Sequence, residues 1–242
     1  MKHKITRLLT PPHGNTKTSK AIAEGYANYI LHLAPAESSG RNVCPMYGNC
    51  VHVCLNESGR GQWVISKDGK MNPIHAARIA KTNWFFENRP AFLTQLDKEI
   101  TSQKKASYNK GLKPVFRLNG TSDLRWENFG IIQKHSDVLF YDYTKIPNRR
   151  NLPVNYSLTF SRDETNETEC MQALKKGQNV SVVFRDSLPE TYLGTPVING
   201  DLHDLRFLDP RNSIVGLIAK GKAKFIIYLL IVLILIFIFD DE

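Results

Sequence analysis

Between Ser19 and Leu33 apolar Ile22, Tyr26, Tyr29, Ile30 and Leu33 recur at helical spacing, which predicts a first helix after the turn-rich Pro11-Pro12-His13-Gly14-Asn15. A loop over Ala34 to Asn42, carrying Pro35 and Gly40, follows it. A long helical stretch is predicted over about Pro73 to Ser102, broken near Pro90, with Trp84, Phe85, Phe86, Phe92, Leu96 and Ile100 on its core face. From residue 114 the pattern shortens into β-rich runs: Val115–Leu118, Val138–Tyr143, Tyr156–Phe160, Val180–Phe184, Pro196–Ile198 and Ile214–Ile218. Several gaps between them, Asp123–Ser136 and Thr165–Lys176 among them, have room for a helix. Strands alternating with helix-sized gaps predict an α/β fold with a mostly parallel sheet, either open or curled into a partial (βα)6 barrel. No internal repeat or low-complexity linker interrupts the pattern, so residues 1–222 read as one domain.

The last segment differs. Phe225 to Phe239 is an unbroken apolar run of 15 residues, preceded by Lys220, Lys222 and Lys224 and ended by Asp240, Asp241 and Glu242. As a helix it spans about 22 Å, against roughly 30 Å of hydrocarbon in a bilayer. Snorkelling lysines and local thinning make up such a difference. Residues 223–242 are therefore a candidate C-terminal membrane anchor that leaves the folded domain in the cytoplasm; a buried last element is the alternative.

Composition narrows the class. Hydrophobic residues make up 42% and charged residues 23%, the range of a globular domain rather than a disordered chain. Net charge is +9, which favours an anionic partner: nucleic acid, a phosphorylated or otherwise anionic small molecule, or a membrane surface. Four cysteines in 242 residues are too few for a disulfide scaffold. Met1 to Leu9 lack the apolar stretch of about 7–15 residues that a secretory leader carries, so a reducing cytoplasm is expected.

In parallel α/β sheets ligands gather beyond the carboxyl ends of the strands. Those positions are polar here: Arg117 and Asn119-Gly-Thr-Ser-Asp123, Asp142-Tyr-Thr-Lys145, Ser161-Arg-Asp163, Arg185-Asp186 and Asn199-Gly-Asp201. Arg117, Asn119, Ser122, Asp123, Asp142, Lys145, Asp201 and Asp204 are the candidate cofactor- or substrate-binding residues. Asp201, His203, Asp204 and Arg206 fall close enough in sequence for acid–base work.

The sharpest motif is Cys44-Pro-Met-Tyr-Gly-Asn-Cys50-Val-His-Val-Cys54. Three cysteines within eleven residues, in a loop tightened by Pro45 and Gly48, place soft donors together and point to a metal–thiolate site. Zinc would need a fourth ligand, with His52 or the distant Cys170 as the candidates, whereas an iron–sulfur cluster can leave one position open. Three cysteines without metal are the third reading. The glycines of Asn56-Glu-Ser-Gly-Arg-Gly61 serve either a turn or the approach of an anion.

The segments NVCPMYGNCVHVCLNESGRG, AARIAKTNWFFENRPAF, VFRLNGTSDLRWE, LFYDYTK and VINGDLHDLRFLDP resemble a phage and prophage family of unknown function. That family is related to the mycobacteriophage gene product 88 group, and the resemblance covers roughly residues 5–222. It implies a phage-infected or lysogenic bacterium as the setting. A looser similarity is to radical S-adenosylmethionine enzymes, which pair a three-cysteine cluster loop with a partial βα barrel. It implies that Cys44, Cys50 and Cys54 hold an iron–sulfur cluster and that the polar strand ends contact S-adenosylmethionine and substrate. The spacing here is Cys-x5-Cys-x3-Cys, where those enzymes usually carry Cys-x3-Cys-x2-Cys. Two other functions are expected from the residues: a zinc-stabilised nucleic-acid-binding protein using pairs such as Lys104-Lys105, Arg149-Arg150 and Lys175-Lys176, or a membrane-tethered interaction protein.

Overall fold

A computed structural model of the chain describes residues 5, 7–14, 16–54, 56, 59–61, 64–65, 69–220 and 223. The apolar run 225–239 lies outside the described residues, and among these no helix is long and apolar enough to cross a membrane.

The segment expected as one helix divides into two elements. Helix α1 covers Thr16–Ala23, and strand β2 covers Tyr26–Leu31. Gly25 at φ +80 makes the turn between them, a left-handed conformation that only glycine adopts without strain. Strand β2 is buried at five consecutive positions, Ala27 to Leu31. A strand covered on both faces reads as a continuous apolar run, and over so short a length that run also satisfies a helical period. Before them, the two-residue strand β1, Leu9–Thr10, pairs antiparallel with β2.

Two long helices follow the cysteine loop: α2, Pro73–Glu87, and α3, Arg89–Tyr108. Their junction is Asn88. Its backbone N–H donates to Trp84 O at 2.9 Å, while its side-chain oxygen accepts from Ala91 N at 3.1 Å. One residue thus ends one helix and caps the next. Pro90 sits in the first turn of α3, where no backbone donor is needed.

The remaining strands are β3 (Lys113–Arg117), β4 (Leu139–Thr144), β5 (Tyr156–Ser161), β6 (Val180–Phe184), β7 (Thr191–Tyr192), β8 (Thr195–Asn199) and β9 (Ile214–Ile218). Short helices α4, Ile131–Lys134, and α5, Glu167–Lys175, occupy two of the expected gaps. The fold is mixed α/β, built on one nine-stranded sheet ordered β1-β2-β3-β4-β5-β6-β9-β8-β7. Pairing is parallel from β2 to β8 and antiparallel only at the two edges, β1 with β2 and β7 with β8.

Strands β2 to β6 lie side by side in chain order, and right-handed crossovers then bring their helices to one face. Tyr29, Leu31, Phe116, Leu118, Phe140 and Leu158 point to that face and pack against Phe85 of α2 and Phe92, Leu96 and Ile100 of α3. Phe160, Val180 and Val182 continue it beneath Cys170 and Ala173 of α5. On the opposite face Val115 and Tyr141 pack with Ala21 of α1 and with Leu205, which precedes a single 3-10 turn, Arg206–Leu208.

Phe85 is the hub of the first core. It is 1% exposed and meets Phe86, Phe92, Trp126 and Phe129 with ring centroids 5.3–5.6 Å apart. Phe85→Ala is expected to lower the unfolding free energy in urea by about 3–5 kcal/mol, the usual cost of emptying such a site. A loss below about 1 kcal/mol would mean that α2 is not seated on the sheet as described.

Candidate functional site

The carboxyl edge is organised by the residues that follow β3. Gly120 must be glycine: a Cβ there would meet Ile30 Cγ2 at 2.5 Å and Leu31 O at 2.7 Å. Beside it, the Asn119 backbone N–H donates to Asp142 Oδ1 at 2.7 Å, joining the ends of β3 and β4. Asn119 Oδ1 accepts from Ser122 Oγ at 2.9 Å, Leu124 N at 2.9 Å and Trp126 Nε1 at 3.0 Å, while Nδ2 donates to Leu124 O at 2.9 Å. Every hydrogen-bonding lobe of the amide oxygen is in use.

The other expected ligand residues join this network. Asp142 Oδ2 accepts from the Tyr156 hydroxyl at 2.8 Å. Asp123 Oδ2 accepts from Lys145 N at 2.8 Å, and Lys145 Nζ pairs with Asp163 at 3.0 Å. Arg149, which the sequence offered only as half of a basic pair, reaches Asp123 Oδ1 at 3.7 Å and forms a two-pronged ion pair with buried Glu127. The structure therefore gathers Asn119, Ser122, Asp123, Asp142 and Lys145, and it bonds them to one another and to backbone.

Arg117 and Asp204 meet on the face covered by α1, at 2.9 Å, with Asp204 fully buried. The Tyr141 hydroxyl donates to Asp204 at 3.2 Å and accepts from Asn28 Nδ2 at 2.6 Å. Tyr143 lies under Arg117, whose guanidinium carbon is 4.7 Å from its ring centroid. Asp201 stands apart, at the end of β8, where it accepts from Ile218 N at 2.9 Å and pairs with Lys220. The sequence signal for the tyrosines was their alternation with Asp142 in Tyr141-Asp-Tyr143, which sets aromatic hydroxyls and a carboxylate on opposite faces of β4.

The cysteine loop leaves the carboxyl end of β2 and is fastened to the Asn119 loop at three points. Thr121 Oγ1 donates to Leu33 O at 2.6 Å, Asp123 N donates to Val43 O at 2.8 Å, and Cys44 Sγ lies 3.7 Å from Thr121 O. Cys50 lies within, and Cys54 directly follows, a 3-10 segment, Gly48–Val53, that contains no buried residue. Burial pushes the Cys44 thiol up to about 12, and the nearby Cys54, Asp123 and Cys50 reinforce the shift. Asn56 N approaches Cys54 Sγ at 3.5 Å, and Arg78 of α2 donates to the side chain and backbone oxygens of Asn56. His75 bonds Asn56 Nδ2 at 3.0 Å and Gly61 O at 2.8 Å.

Positive charge surrounds the exit of β2. Burial, then Arg78, Arg117 and Lys81, hold His32 down to about 3, so its imidazole is neutral at ordinary pH. Lys81 is held down to about 8 by burial, despite Glu99. Arg78 and Lys81 carried no motif signal; only the seating of α2 against β2 brings them here, with Thr82 Oγ1 accepting from Ala34 N at 2.8 Å.

Chemically, this edge offers three thiols and several cations beside a rigid polar rim. Among the described residues, no group of three or more His, Cys, Asp or Glu side chains is gathered as a ready-made metal site. Thiolate chemistry suits a soft metal, and the three thiols share one loop, but their present positions do not converge.

Asp142 provides a pH test of the rim. Burial pushes its carboxyl up to about 7, against about 3.9 for an unfolded aspartate. The folded chain thus holds this proton more tightly, and the associated stability is present below about pH 4 and lost as pH rises through about 7. Asp142→Asn cannot ionise and keeps an acceptor for Asn119 N. Its Tm is expected to exceed that of the parent at pH 8, with the gap closing by about pH 4. A gap that does not change with pH would contradict the assignment.

No curated protein and no solved structure matches this chain. A family model described as gene product 88 matches residues 5–227. With nearly the whole chain matched, the protein belongs to the gene product 88 family, a phage-associated family.

Proposed function

We propose that the protein is an iron–sulfur enzyme of radical S-adenosylmethionine type, with its reaction centre at the carboxyl edge of the sheet. One observation carries the proposal: the three-cysteine loop leaves the end of the first strand in a run of parallel strands taken in chain order. The sequence pattern alone placed a helix there; β2 supplies the strand that such a loop requires. The order β2-β3-β4-β5-β6-β9 is compatible with a partial barrel, and polar residues follow several of these strands.

Cys44, Cys50 and Cys54 would hold the cluster. Cys44 packs against the core, whereas Gly48–Val53 buries no residue, so Cys50 can be drawn toward Cys44 without displacing a core side chain. Thiols must lose their protons to ligate, so loading releases protons, and the raised Cys44 makes it favour alkaline conditions. A cluster held by these cysteines would supply one-electron chemistry. The chain's own part is positioning. Arg78 and Lys81 set positive charge beside the loop, neutral His32 accepts or donates one hydrogen bond, and the Asn119–Asp142 junction keeps the rim rigid. An anionic small molecule suits the positive charge that Arg78 and Lys81 set beside the loop.

The test is anaerobic reconstitution with iron and sulfide. A brown protein with visible absorption and bound iron and sulfide is expected; Cys44→Ser, Cys50→Ser and Cys54→Ser should each lose the colour, and Cys170→Ser should keep it. A colourless protein holding stoichiometric zinc, or no metal, rejects the proposal.

A further inference from the structure

A second place in the molecule gathers charge that the carboxyl edge does not use. Between the β4–β5 crossover (residues 145–155) and the end of α5 lies a cleft of about 740 Å³. It extends toward the amino-terminal ends of the strands, where Leu139, Asn155 and Asn179 line it. Basic residues that are far apart in sequence come together here: Arg149 and Arg150 on the crossover and Lys176 at the end of α5. Lys176 Nζ donates to Asn148 Oδ1 at 2.5 Å, so the two walls touch. Arg211, from the chain leading into β9, completes the rim.

The cations, which share the cleft with the carboxylate of Glu169, divide into two classes. Arg149 and Arg206 are internally compensated, by Glu127 and Asp209. Arg150, Lys176 and Arg211 are exposed, come from three separate segments and border one cavity. The crossover keeps its shape through left-handed Asn148 and Asn151, and Asn155 Nδ2 donates to three backbone oxygens, of Ile132, His135 and Val138. Exposed Val154 and Leu139 give the same cleft an apolar border. Cations that border an apolar lining match a chain of phosphates carrying flat apolar bases. A cleft walled on both sides, with the volume of a site for a drug-sized molecule, admits one strand rather than a duplex.

We infer that this cleft binds single-stranded nucleic acid, with Arg150, Lys176 and Arg211 on its phosphates. The site is separate from the proposed cluster, and its binding is expected with or without metal.

Fluorescence anisotropy of the full chain with a labelled oligothymidylate of about 12 nucleotides tests it. With three cations engaged, log K should fall against log salt with a slope of about −2. Arg150→Glu combined with Lys176→Glu should raise Kd at least about tenfold at low salt, and Arg211→Ala should raise it by a smaller factor. Lys98→Glu with Lys105→Glu, exposed on α3, should leave Kd within about twofold. Equal weakening by the α3 pair would reveal diffuse charge attraction and overturn the assignment. Preference for a blunt duplex, no binding at low salt, or an unchanged Kd for Arg211→Ala would also overturn it.

Discussion

The carboxyl edge depends on one asparagine. Asn119 fastens the end of β3 to Asp142 through its backbone and takes three donors on a single amide oxygen, among them the buried indole of Trp126. A buried donor without an acceptor costs about 1–3 kcal/mol, so no apolar residue can stand in its place. The loop it fixes then fixes another: Thr121 and Asp123 hold the chain at Leu33 and Val43, which is how Cys44 comes to lie against this edge. The position of Cys44 therefore rests on hydrogen bonds of a different loop as well as on its own packing against the core.

The two faces of the sheet solve different problems. The helix-covered face is apolar and aromatic, and supplies the burial that holds the domain together. The other face carries the Arg117–Asp204 pair with Tyr141 and Asn28, beneath α1 and the Arg206–Leu208 turn. Buried ion pairs add little net stability because desolvation offsets their attraction, but they penalise any other arrangement. Here that penalty fixes the segment after β8 over the sheet, and Lys20 of α1 ties to it at Asp201 O, 2.7 Å away. The exposed Arg150, Lys176 and Arg211 of the basic cleft take part in neither arrangement, which leaves them available to a partner.

Much of the sheet was legible in the sequence. Ile214–Ile218 and Val180–Phe184 have the bounds that the apolar pattern predicts, and β3, β4 and β5 differ by a residue or two. The parallel pairing followed from helix-sized gaps, although one of them, 145–155, holds a bare crossover. What failed was the segment 26–31, where burial on both faces erased the alternation that marks a strand. The antiparallel edges β1 and β7 were missed because two residues carry no period. At the site, residue types at strand ends pointed to Asn119, Ser122, Asp123, Asp142 and Lys145. Their bonds to one another, and the approach of Arg78, Lys81 and Arg149, depend on tertiary seating that no local pattern encodes.

The central claim is that the three thiols at this edge hold iron. Anomalous diffraction at the iron edge, on crystals of the anaerobically reconstituted protein, measures it directly. The account predicts one strong peak beside Cys44, Cys50 and Cys54, facing the Asn119–Asp123 loop. Well-ordered crystals with no iron peak, or with iron bound elsewhere on the chain, would contradict it.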